Sequence, residues 1–61
     1  MVDQPYAVMK RSPSGKWEVD STHYNRIDAG TAASELMYFA FLNDMPLEVK
    51  VAYDPTGLFL N

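Results

Sequence analysis

Cysteine is absent from the 61 residues, and histidine occurs once, at His23. The first absence excludes disulfides, a thiolate zinc site and a thiol nucleophile. The second leaves a zinc site short of a ligand set. The three glycines are two turn residues, Gly15 and Gly57, and one near a helix start, Gly30, so no glycine-rich phosphate loop can be built. Five Lys and Arg stand against eight Asp and Glu, a net charge of −3, which argues against phosphate neutralisation as the main source of affinity. The eight acids are scattered, so they do not mimic nucleic acid either.

Long hydrophobic runs are missing too. The longest, Leu36-Met37-Tyr38-Phe39-Ala40-Phe41-Leu42, falls far short of the ~20 residues that cross a bilayer. Met1-Val2-Asp3-Gln4-Pro5 has neither the basic nor the apolar region of a signal peptide. The chain reads as a complete small gene product, and a cytoplasmic location without membrane attachment is the expectation.

What is present is apolar: 48% of residues, with Trp17, four Tyr and three Phe. That suits one small folded domain over residues 1–61 rather than a disordered tail. A chain this short buries only about 60% of the surface it exposes when unfolded, so modest stability is expected.

Tyr6 to Arg11 carries apolar residues on both alternating sets, which suits a strand paired on both sides, with Pro5 at its start. Ser12-Pro13-Ser14-Gly15 is a turn, with Gly15 expected to take a positive φ. Lys16 to Ser21 alternates, placing Trp17 and Val19 inward and Lys16, Glu18 and Asp20 outward. Thr22 to Arg26 has no period and reads as a loop. A helix follows, capped by Asp28 or by Thr31, and runs through Leu42 to stop before Met45-Pro46. Leu47 to Tyr53 alternates again, and Asp54-Pro55-Thr56-Gly57 repeats the first turn before a short fourth strand, Leu58-Phe59-Leu60. The expected fold is α+β: a small antiparallel sheet of order 2-1-3-4, its first strand central, with one helix on one face.

Around the helix, at 100° per residue, Ala29, Ala33 and Ala40 gather near Leu36 with Ala32 and Phe39 on one flank and Met37 on the other. This is the expected core stripe, facing Trp17, Val19, Val49 and Val51. The opposite arc holds Thr31, Ser34 and Glu35, followed by Tyr38, Phe41 and Leu42. Those three side chains make an apolar patch on the order of 400 Å², a size that is often functional. Tyr38, Phe41 and Leu42, together with Glu35 and with Lys50 of the open sheet face, are the candidate partner-binding residues. A larger protein or a second copy, as a weak homodimer, would cover them.

Catalytic chemistry finds little support. Asp20, Ser21 and His23 could be written as a triad, yet they sit on one extended stretch without a nucleophile elbow. Glu18 and Asp20 have a spacing within reach of a glycosidase pair, but exposed charge pairing explains them better. Gly30 and Thr31 at a helix start could meet an anion, with nothing further to support it. No enzyme activity, cofactor or metal is expected. The alternative is a nucleic-acid-associated regulator, in which Lys10, Arg11, Lys16 and Arg26 gather around Trp17 for base stacking.

The succession Tyr6-Ala7-Val8-Met9, Gly15-Lys16-Trp17-Glu18-Val19, Ala32-Ala33-Ser34-Glu35-Leu36 and Leu47-Glu48-Val49-Lys50-Val51 resembles the small host RNA polymerase inhibitors of virulent podophages. The likeness spans roughly residues 6–53 and is one of pattern. It implies a compact viral accessory protein that inhibits a host protein by occupying its surface, an outline that anti-CRISPR proteins share. In that family, arginines on the last strand help to hold the polymerase. The matching stretch here, Lys50-Val51-Ala52-Tyr53, offers Lys50 as its cation.

Overall fold

Tyr6–Arg11 forms strand β1 with the expected bounds, because its two apolar faces both find partners. In the computed structural model, which describes residues 4–59, three further elements follow it. They are strand β2 (Glu18–His23), helix α1 (Arg26–Leu42) and strand β3 (Glu48–Tyr53). The sheet is antiparallel with order β2-β1-β3, and α1 packs on one face. The α+β architecture and the central first strand are therefore as the sequence implies. The fourth strand is not seen: Leu58 and Phe59 form no strand, and Leu60 lies outside the described residues. The turn before them does form, closed by Gly57 N–H to the Asp54 carbonyl at 2.9 Å. Its Thr56 Oγ1 then accepts the Leu58 N–H at 3.3 Å, which draws that donor away from β3.

Both Pro-containing turns close with the same bond, since Gly15 N–H meets the Ser12 carbonyl at 2.9 Å. Only Gly57 takes the left-handed backbone, at φ 71°. The positive φ expected at Gly15 is not adopted. A Cβ there would stand 2.6 Å from Ser12 Oγ, a hydroxyl that can rotate aside, and at ordinary contact distance from the Ser12 backbone.

β3 pairs with β1 in unbroken register, from Tyr6 opposite Tyr53 to Arg11 opposite Glu48. β2 does not. Val8 lies opposite Ser21 and Met9 opposite Val19, so Asp20 is an extra residue, a β-bulge. One inserted residue reverses the facing of everything before it. Directly paired residues share a face, so Tyr6, Val8, Lys10, Glu18, Ser21, His23, Val49, Val51 and Tyr53 face α1. Met9, Arg11, Val19, Glu48 and Lys50 face away. The expected placement of Trp17 and Val19 under the helix, and of Glu18 and Asp20 on the open face, is thereby overturned. The Trp17 ring instead meets Arg11 and Lys50 on the far face.

Under the helix sit Val8, Ala29 and Ala33, with Tyr6, Ala32, Leu36 and Val49 packed around them. Ala7 and Ala40 complete the buried apolar set, and Val8 is the largest fully buried side chain. Alanines bring helix and sheet close together, and Tyr6 is the one ring packed at the margin of this cluster. Phe39, expected at the core flank, is accordingly more than half exposed, and Met37 nearly so.

The helix starts earlier than either expected cap. Thr22 and His23 belong to β2 rather than to a loop, and Asn25 is the N-cap. Its side-chain oxygen accepts from Asp28 N–H at 2.8 Å, and its amide donates to the Asp28 carboxylate at 3.1 Å. Gly30 thus lies inside α1, where glycine costs about 1 kcal/mol relative to alanine. The packing of Ala29 and Ala33 outweighs that cost. At the other end the Met45 N–H reaches the Ala40 carbonyl and the Asp44 N–H that of Phe41. This is a Schellman closure, with Asp44 at φ 53° in the position glycine usually takes.

Two opposite stability changes follow. Asn25→Ala removes the cap and should destabilise by about 1 kcal/mol, whereas Thr31→Ala, remote from the cap, should change little. Asp44→Gly relieves the left-handed strain and removes an anion from the negative helix end, for a gain of about 0.5–1 kcal/mol. Urea midpoints of the three variants against wild type measure both.

Candidate docking surface

Two surfaces are left after the core is filled. The first is the outer face of α1. Phe41, Tyr38 and Leu42, expected there from the sequence, are 77%, 64% and 59% exposed. Glu35 is exposed at their edge. The sequence reading missed Ile27, which is 80% exposed. At 100° per residue it stands about 180° from Leu36, in line with Tyr38. The signal was present in the spacing Ile27, Thr31, Ser34, Tyr38, Phe41. It was lost because the helix was started at Asp28 or later. Thr31 and Ser34 keep the middle of the face low, so the bulk stands at its two ends.

The second surface is the sheet face away from α1. Here β1 and β3 bring Arg11 and Glu48 into register, and their side chains form a two-bond ion pair at 2.9 and 3.0 Å. The Arg11 guanidinium also lies 4.6 Å from the Trp17 ring centroid, and Lys50 Nζ lies 4.2 Å from it. The hydrogen bond from Arg11 holds the Glu48 carboxyl below its ordinary value and raises Arg11 in turn. Lys50, grouped with Tyr38, Phe41 and Leu42 from the sequence, thus belongs to the opposite side of the molecule.

The residues of the nucleic-acid alternative are brought together only in part. Arg11 and Trp17 meet, but the ring is already covered by cations and Arg11 is neutralised by Glu48. Lys10 faces the helix side, where it pairs with Asp20 at 2.9 Å; that bond raises its pKa. Lys16 lies in the turn before β2, and Arg26 begins α1, lining a groove with Tyr6, Val51 and Tyr53. Among the described residues these four cations therefore do not gather around the Trp17 ring.

The hydroxyl of Ser21 and Nε2 of His23 are 2.8 Å apart on the helix side of β2. Asp20 does not join them, because its carboxylate is held by Lys10. Among the described residues no group of three His, Asp or Glu is arranged to hold a metal ion. None of their helices is long and apolar enough to cross a membrane.

Comparison with family models, curated proteins and solved structures returns no match.

The Arg11–Glu48 pair predicts a specific pH response. Glu48 has a lowered folded-state pKa, so its contribution is present above the ordinary value of 4.5 and is lost as pH falls through the folded one. Wild type should exceed Glu48→Gln in urea midpoint at pH 7, and the difference should close at acid pH. Fluorescence of Trp17, the single tryptophan, should change with the same substitution.

Proposed function

We propose that the chain is a non-enzymatic binding module that docks the outer face of α1 into an apolar groove of a larger protein. One observation carries the reading: Ile27, Tyr38, Phe41 and Leu42 lie exposed along one helix face while the interior holds little beyond alanine and Val8. Spacing of this kind is how an amphipathic helix presents anchors to a groove. The shape of the partner follows from the area. Two such faces packed on each other would bury roughly 800 Å² in total, at the weak end for a specific interface. A concave partner encloses the flanks of the helix as well, and buries more per anchor.

In this reading the protein acts by occupation, as a small viral inhibitor of a host protein would, and inside the host cytoplasm. The podophage resemblance supports the class of action, and the lack of arginine beside Lys50 leaves the polymerase itself without support as the target. A nucleic-acid role finds no favouring geometry, since Trp17, Arg11 and Lys10 are engaged within the protein.

The double variant Tyr38→Glu/Phe41→Glu tests the proposal. Neither side chain belongs to the core cluster, so the circular dichroism spectrum and urea midpoint should be retained. Proteins captured by immobilised wild type from a bacterial lysate should be lost by the variant. Equal capture by both would refute the docking face, and unfolding of the variant would show that the face is core.

A further inference from the structure

We infer that the outer edge of β3 pairs antiparallel with β3 of a second copy of this chain, across a two-fold axis at Val51. The backbone argument starts at Pro5. Its carbonyl accepts the Asp54 N–H at 2.8 Å, which makes Pro5 and Asp54 a hydrogen-bonded pair. Bonded and non-bonded pairs alternate along an antiparallel ladder. Tyr6 with Tyr53, Val8 with Val51 and Lys10 with Val49 are therefore the non-bonded pairs. The N–H and C=O groups of Val49, Val51 and Tyr53 point outward, away from β1. Among the described residues no strand covers them.

The sheet has two edges, and they differ. β2 carries the Asp20 bulge and two carboxylates, Glu18 and Asp20. Bulges and charges are how edges are normally blunted. β3 has no bulge, and the one cation at its centre, Lys50, lies on the Trp17 ring on the far face. Centred on Val51, the edge is self-complementary. Val51 meets Val51, and Val49 meets Tyr53 in both directions, each pair exchanging two backbone bonds. A foreign strand could use the same backbone groups, but a second copy also sets apolar side chains opposite one another at all three positions, Val51 on Val51 and Val49 on Tyr53.

The helices fit the same axis. α1 packs more on β1 and β3 than on β2. Pairing at β3 therefore brings the two helices to the same side of the joined sheet, one on each side of the two-fold axis. The flank of α1 turned to the β3 edge carries Arg26 beside Val51 and Tyr53, and Met37 beside Leu47 and Glu48. Between them Gly30 has nothing within 4 Å of where a Cβ would stand, which leaves room for close approach. The groove of about 390 Å³ over Tyr6, Val51 and Tyr53 then falls opposite Val49 of the second copy. The product is a six-stranded sheet with two helices on one face. Phe41, which lines the same recess as Met37 and Leu47, is shared with the docking face proposed above, whereas Ile27 and Tyr38 stay on the outer side of each helix.

Sedimentation across a concentration series gives the test. Wild type should pass from monomer to dimer, and Val51→Pro should weaken the dimer by about tenfold or more, because the lost N–H points outward and the bonds to β1 remain. Since the chain has no cysteine, Val51→Cys provides a second readout. Hydrogen-bonded partners stand about 5.5 Å apart between Cα atoms, within disulfide reach. Mild oxidation should therefore link Val51→Cys into a dimer, while Glu18→Cys on the β2 edge stays monomeric. A wild-type chain that is monomeric throughout overturns the inference, including where Val51→Pro loses a captured foreign protein. A dimer broken by Tyr38→Glu/Phe41→Glu but not by Val51→Pro overturns it equally.

Discussion

The close contact between an alanine-faced helix and Val8 governs the rest of the molecule. Ala29 and Ala33 have almost no side chain to interpose, so α1 lies directly on β1 and β3. This contact is efficient in packing and poor in area. Burying a large side chain is worth roughly 1.5–3 kcal/mol, and the described residues bury completely only one side chain as large as valine. Beyond Tyr6 and Leu36, which pack at its margin, the interior takes up few rings or long aliphatics, and most stay outside it, on the outer face of α1 and along the β3 edge.

The same thinness explains why polar interactions hold the far face. With Trp17 away from the helix, its ring meets both Arg11 and Lys50, and Arg11 is fixed by Glu48 across the strand pair. These groups are exposed, and each interaction is worth little alone. Together they seat a large aromatic on a sheet with nothing packed over it but cations. A protein built this way has two apolar areas to cover, and the proposed functions assign a cover to each: a grooved partner on α1 and a second copy on β3.

Much of this was legible in the residues. β1 was readable because both of its faces are apolar, and that alone made it central. The stripe of Ala29, Ala33 and Ala40 was readable from the helical period, as was the outward arc of Tyr38, Phe41 and Leu42. The facing of Trp17 was not readable. It depends on a bulge at Asp20, and an inserted residue in a strand carries no mark in composition or period. Ile27 was hidden by a boundary: Asp28 and Thr31 are good caps by type, and only the structure shows Asn25 in the capping position. The fourth strand, unconfirmed at Leu58 and Phe59, is a different case. Asp54-Pro55-Thr56-Gly57 specifies a turn, and a turn does not oblige the chain after it to pair.

The central claim is that the thin interior leaves an apolar helix face and an open β3 edge that association covers. Thermal unfolding followed across a hundredfold range of protein concentration tests it most directly. Coupling of folding to association raises Tm with concentration, because the associated form is drawn only from folded chains. The account predicts that rise. A Tm that stays constant over the whole range would contradict it, and would show that Val8 and the alanines hold a single copy folded by themselves.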